Sequence, residues 1–223
     1  ICDDTMAALI GSLEPRPHSS REIIDVMGAH LEAHHPEAES VVLECHRKRI
    51  PIFVPAFSDC SAGFGLVLDA AKTDPTGSAK ATVDSGKDFL ELTRIKLANP
   101  KTGLFMLGGG VPKIFVQDIV VSAELLVEKG LAAQFGFDSE DVPMHAYAVQ
   151  ITVADARDGA LSGSTLREAC SWGKVGTAKE QMIFGEVTSL LPVIASDVLH
   201  RGKWNERPQR KLANLFLTAP AGV

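Results

Sequence analysis

Cysteine is scarce and shows no pairing pattern: Cys2, Cys45, Cys60 and Cys170 form no CxxC. That leaves neither a zinc cage nor a disulfide scaffold, and it suits a reducing cytoplasm. No apolar run approaches the ~20 residues needed to cross a bilayer, and no basic-then-apolar leader is read at the first residues, so no membrane partner is expected. An excess of positive charge is missing too, with 28 acidic against 22 basic residues and a net charge of −6. A nucleic-acid binder needs a basic face to neutralise phosphates, so that class is disfavoured. The seven histidines include no HExxH or other ligand spacing, and GxSxG is absent. Neither a metal site nor a serine-hydrolase elbow is expected. Internal repeats and low-complexity tracts are absent as well.

What is present is enough apolar material for a core, 45% hydrophobic against 22% charged residues, in a length that fits one α/β domain over residues 1–223. Helical and strand periods alternate along it. Ser20 is read as the cap of a helix whose apolar stripe is Ile23, Ile24, Met27 and Leu31. Glu39–Arg49 reads as a second helix, Ile50–Val54 as a strand, Ala81–Asp84 as another, and 87–98 as a helix. Gly103–Leu107 is a strand running into Gly108–Gly110, and Pro112 opens a helix that carries Ile119, Val120, Ala123, Leu126 and Val127. Ala146–Val153 and Met182–Phe184 are strands, Thr188–Leu199 is an apolar helix, and Arg207–Leu217 is a final amphipathic one. Phe135–Pro143 reads as an exposed loop. The alternation implies a Rossmann-like α/β fold, a mostly parallel sheet with helices on both faces.

In open parallel sheets ligands gather beyond the carboxyl ends of the strands. Three polar or Gly-rich loops fall at such ends: Ser58–Gly63, Gly108–Gly110 and Asp155–Gly163. The Gly triplet lets a backbone approach a phosphate closely, or it is simply a tight turn; GGGVPK matches neither GxGxxG nor a P-loop. Asp59 reads as a ribose or cation contact, or as a loop cap. The sharpest local feature is Ser171–Lys174, a lysine beside an indole and two residues from a Glu168–Trp172 helical pair. In a dry pocket the ammonium is disfavoured and the amine becomes an imine-forming nucleophile. Carboxylate and indole together suit an organic cation. The alternative is a solvated lysine after a core tryptophan.

Taken together, PAFSDCSAG (Pro55–Gly63), LGGGVPK (Leu107–Lys113), YAVQIT (Tyr147–Thr152), DGALSG (Asp158–Gly163), EACSWGKV (Glu168–Val175) and FGEVTSLLP (Phe184–Pro192) resemble the deoxyhypusine synthase family. Order and spacing agree from about Glu39 to Leu199, and the LSG form of the Gly/Ser loop is closer to bacterial and archaeal members. The resemblance implies a cytoplasmic homotetramer with active sites at dimer interfaces and NAD as cofactor. It implies transfer of the aminobutyl group of spermidine, through an imine on Lys174, to an acceptor amine. That acceptor is the lysine of the initiation factor 5A precursor, or putrescine. Glu168, Trp172, Gly159, Ala160, Leu161, Phe64 and Ile114 then fall at polyamine positions. Asp59, Gly108, Gly109, Gly110, Val153, Ala154, Asp158, Glu186 and Val187 fall at NAD positions.

Departures accompany the match. Phe64 and Leu161 stand where the family carries acidic residues, Ile114 where it carries histidine, and Glu186 where aspartate is usual. Each lost charge-assisted contact removes about 1.5–3 kcal/mol of attraction for a polyamine. The family's N-terminal TSNL-like and TAGG-like loops are not found in this chain. These differences leave a non-catalytic paralogue of the same family as an alternative reading.

Overall fold

The computed structural model describes residues 2–217 except 77, 79, 162, 163, 177 and 178, and in it the chain divides into two compact units. One holds the residues up to Leu92 and the stretch from Lys211; the other holds Thr93–Arg210. Ser162 and Gly163, the end of the Gly/Ser loop, lie outside the described residues.

The first unit is mainly helical: α1 (Cys2–Gly11), α2 (Ser20–His34), α3 (Val41–Arg47) and α4 (Gly63–Thr73). Ser19, not Ser20, caps α2. Its backbone is extended (φ −70°, ψ 154°), its hydroxyl accepts from the Glu22 amide at 3.3 Å, and Glu22 accepts from the Ser19 amide at 2.9 Å. This closes a capping box. The Ser20 hydroxyl accepts instead from the Val54 amide at 2.8 Å. That bond is one reason Ile50–Val54 forms no strand: a side chain occupies the Val54 amide, Pro51 has no N–H, and Arg49 before them sits at φ 54°. The parallel pair of this unit is β1 (Pro17–His18) with β2 (Thr82–Val83). Ile10, Ile23, Ile24, Met27 and Phe57 form its core, and full burial of one such side chain contributes roughly 1.5–3 kcal/mol. Helices α1 and α4 meet closely at Gly65, where a Cβ would lie 2.8 Å from the Met6 Cβ.

The division between the units falls within α5 (Ser85–Ala98). The second unit holds a parallel three-stranded sheet, β3 (Gly103–Leu107), β4 (Tyr147–Thr152) and β5 (Glu180–Phe184), with β4 central. Leu107 stands beside Ile151, and Ile151 beside Ile183. Met106 and Ala148 of the sheet pack with Leu166, Ala169 and Val175. The helix opened by Pro112 is in fact two, α6 (Val111–Gln117) and α7 (Ile119–Glu128), which break at Asp118. Residues 135–143 are largely exposed, yet Phe135, Phe137 and Val142 fold back onto Leu97, Ala123 and Ala132. The last expected helix is absent. Lys211 at φ 47° interrupts it, and a short 3-10 turn, Leu212–Phe216, remains. The whole is a mixed α/β fold with parallel strands and helices around them.

Candidate active site

The three parallel strands of the second unit end along one edge, so the turns that follow them neighbour one another: Gly108–Gly110 after β3, Val153–Ala154 after β4, and Glu186 after β5. Gly108 (φ 85°) and Gly110 (φ 82°) occupy the left-handed region, where a side chain is strained. Gly109 is glycine for a different reason, since a Cβ there would run into the carbonyl oxygen of Ala160. The Gly turn and the Asp158–Leu161 loop therefore lie backbone against backbone. Gly108 is pinned at both ends: its amide donates to the Ile151 carbonyl and its carbonyl accepts from Gln150 Nε2, each at 2.8 Å. Asp158 braces the facing loop, accepting from the Ala160 amide at 2.9 Å.

Val153 is exposed and Ala154 buried, and the Ala154 amide donates to Thr152 Oγ1 at 3.1 Å. Glu186 caps α9 (Val187–Arg201), accepting from the Thr188 hydroxyl and from the Ser189 amide. Those bonds, the Thr188 hydroxyl foremost, hold its carboxyl below the usual carboxylate range.

Lys174 follows α8 (Leu166–Ser171). Glu168 opens that helix in a capping box, its carboxylate accepting from the Thr165 amide at 2.8 Å while its own amide donates to Thr165 Oγ1 at 3.3 Å. The Trp172 amide donates to the Glu168 carbonyl at 3.1 Å, and Gly173 at φ 71° then turns the chain. The amide of Lys174 donates to the Ala169 carbonyl at 3.0 Å, and its own carbonyl accepts from the His145 amide at 3.0 Å. Lys174 Nζ lies 2.5 Å from Asp118 Oδ1 and 5.9 Å from the centre of the Trp172 ring. Neither expectation for this lysine describes it. Trp172 is 73% exposed, so it is not a core residue. The lysine side chain, at 18% exposure, faces a carboxylate rather than a dry apolar wall.

Two charged residues escape sequence reasoning. Asp118 sits at the break between α6 and α7, and its buried Oδ1 makes no hydrogen bond among the described residues but is ion-paired with Lys174. Its one signal is a charged residue interrupting the apolar run from Ile114 to Val121. Lys113 is buried and donates to the carbonyls of Leu161 (3.5 Å) and Ser164, tying α6 to the Gly/Ser loop. Burial pushes its ammonium pKa down, with Glu168 opposing and Lys174 assisting.

The other expected positions fall in both units. Leu161 is fully buried, Ile114 half-buried, and Gly159 and Ala160 exposed. Asp59, exposed in the turn Phe57–Asp59, and Phe64, 63% exposed at the start of α4, belong to the first unit. Among the described residues no helix is long and apolar enough to cross a membrane, and no group of histidine, cysteine and acidic side chains is arranged to hold a metal.

A family model described as deoxyhypusine synthase matches residues 1–198, running through both units. The chain is 54% identical over its whole length to a deoxyhypusine synthase-like protein of Chlorobaculum parvum, covering 60% of that relative. It is 53% identical over 96% of its length to one of Coxiella burnetii, covering 57% of it. A probable deoxyhypusine synthase 2 of Methanosarcina mazei is 38% identical over 79% of the chain, which covers 47% of that protein. The chain thus spans no more than about three-fifths of the length of these relatives.

Proposed function

This chain belongs to the deoxyhypusine synthase family, and from that premise we propose that it performs an NAD-dependent transfer of the aminobutyl group of spermidine, or of a related polyamine, to an acceptor amine. The observation that carries the reading is Lys174, an amine held between the Asp118 carboxylate and the Trp172 indole. The acceptor we propose is the lysine of the initiation factor 5A precursor, in a cytoplasmic homotetramer with its sites at dimer interfaces.

The backbone at the strand ends suits a dinucleotide. Gly108 and Gly110 take conformations that side chains resist, and the turn is packed too closely at Gly109 for a Cβ. Gly108–Gly110, Val153, Ala154, Asp158, Glu186 and Val187 are the residues we assign to holding NAD in this unit; Asp59 is assigned on its motif alone. Held there, NAD would supply the hydride-transfer chemistry at the carbon beside the secondary amine.

Lys174 does the covalent work. Its Nζ passes a proton to Asp118 Oδ1, 2.5 Å away, and bonds the oxidised carbon of the polyamine. The bond from that carbon to the departing nitrogen breaks, 1,3-diaminopropane leaves with a proton, and the four-carbon amine remains as an imine on Lys174. The acceptor amine then attacks the same carbon and releases Lys174. Trp172 offers an aromatic face to the cationic chain. Glu168, assigned to the polyamine with Gly159, Ala160 and Ile114, contributes negative charge near Lys113, while Phe64 and the buried Leu161 are assigned on their motifs alone.

Putrescine is a second acceptor reading; the apolar Phe64, Ile114 and Leu161 stand where the family carries acidic residues or histidine and bear on the donor amine, without separating the two acceptors. Borohydride trapping with NAD and spermidine, followed by peptide mapping, tests the main reading. An aminobutyl adduct on Lys174 supports it, whereas bound NAD without an adduct refutes spermidine as donor. Product formed with putrescine alone would remove the protein acceptor.

A further inference from the structure

Lys174 and Asp118 come from different elements, and one residue reaches both. The His145 amide donates to the Lys174 carbonyl at 3.0 Å and the Gly176 amide donates to the His145 carbonyl at 2.8 Å, so the segment bearing Lys174 is bridged to His145 on both sides. The imidazole turns the other way. Its Nε2 lies 3.2 Å from the carbonyl of Val116 on α6, two residues before Asp118. Its Nδ1 lies 2.9 Å from Thr102 Oγ1, and that oxygen lies 3.0 Å from Lys96 Nζ.

The chemistry of these partners sets every proton. A carbonyl only accepts, so Nε2 carries the ring proton. Nδ1 then accepts from the Thr102 hydroxyl, whose oxygen accepts in turn from Lys96, an amine whose pKa burial pushes down. His145 and Lys96 are each 1% exposed. Burial, with the Lys96 charge assisting, lowers the ring pKa to about 4, so the imidazole stays neutral and a single tautomer satisfies all its partners.

We propose that Lys96, Thr102 and His145 form a positioning chain that locks the His145 ring in one tautomer and thereby sets the spacing between the Lys174 amine and the Asp118 carboxylate. The proposal rests on the reading of Lys174 as the reacting amine, but the geometry it concerns exists without turnover. The family resemblance assigns none of these three residues a role.

Thr102→Val tests it. The change keeps the shape at Thr102 and the carbonyl that accepts from the Ala146 amide at 2.9 Å, and removes only the hydroxyl at the centre of the chain. The readout is trace acetylation of Lys174 by acetic anhydride in the full chain, measured by peptide mass spectrometry relative to the exposed Lys129. Loss of one buried hydrogen bond should shift that ratio about fivefold, and Thr102→Ser should restore it. His145→Gln, which keeps a donor toward Val116 but loses the partner of Thr102, should shift it as well, and stands in should Thr102→Val fail to fold. An unchanged ratio in a folded variant overturns the proposal, as does a shift that Thr102→Ser fails to reverse. Borohydride trapping of the wild type is run beside it: absence of an adduct with a shifted, rescued ratio would defeat the transfer reading and leave the positioning chain standing.

Discussion

Acid should unfold the second unit earlier than its carboxylates alone would require, because His145 is buried neutral. Its ring pKa is about 4 in the folded chain against 6.5 for an ordinary histidine. Between those values the unfolded chain binds a proton that the folded chain refuses, so stability falls as the pH drops through this window. The linkage integral gives a loss of about 2 kcal/mol from pH 7 to pH 5, approaching about 3 kcal/mol below pH 4. The assay is urea unfolding of the full chain at pH 7 and pH 5, followed by tryptophan fluorescence. Both tryptophans, Trp172 and Trp204, belong to the second unit, so the signal reports on that unit. With a urea dependence of about 1–3 kcal/mol/M, the midpoint of the wild type should drop by roughly 1 M more than that of His145→Gln, which has no ring to titrate. Each protein serves as its own reference, so any constant cost of the substitution cancels. An equal drop in both would refute the argument, since it would mean that His145 does not stay neutral inside the fold.

The remaining predictions concern the strand ends and the lysine loop. Gly109→Ala should cost about 1–3 kcal/mol in urea unfolding, because the Cβ meets a backbone carbonyl, and should abolish binding in an NADH fluorescence titration. Gly159→Ala, with nothing within 4 Å of the new Cβ, should change stability by under about 0.5 kcal/mol. Glu168→Ala removes the side-chain half of a capping box and should cost about 1 kcal/mol, whereas Glu168→Gln keeps the cap and the melting temperature while losing spermidine affinity in calorimetry. A Gln variant that binds spermidine normally would confine Glu168 to its capping role. Lys174→Arg should retain the charge beside Asp118 and fold normally, yet give no trapped adduct, because a guanidinium does not form the imine.

Periodicity makes much of this architecture legible. The stripe of Ile23, Ile24 and Met27 identifies α2, and the apolar run over Tyr147–Thr152 identifies the central strand β4, buried on both sides by its neighbours. The errors arise where a side chain competes with the backbone. Ile50–Val54 has the composition of a strand, but the Val54 amide is taken by Ser20 from a distant helix, a tertiary bond that no local pattern encodes. Of two adjacent serines, Ser19 wins the cap because only it has Glu22 three residues ahead to complete a capping box. At the C-terminal end the amphipathic spacing of 207–217 is genuine, yet Lys211 adopts a left-handed backbone that no helix contains.

The candidate site divides along the same line. Backbone requirements leave marks in sequence, so the glycines at 108–110 and the turn at Gly173 point to their loops without any structure. Pairings between elements leave none. Asp118 looks like a surface residue in one long helix until the break after Gln117 brings its carboxylate to Lys174. Lys113 looks like the solvated end of GGGVPK until the fold seals it against the carbonyls of Leu161 and Ser164. The three apolar departures at Phe64, Ile114 and Leu161 suggest a site poor in charge when they are read alone. In the second unit that reading is incomplete: Leu161 lies in the core, and charge is supplied beside Lys174 by Asp118. A cation approaching Lys174 therefore meets a carboxylate whose position is set by a helix break and, on the inference drawn above, by the tautomer of a buried histidine.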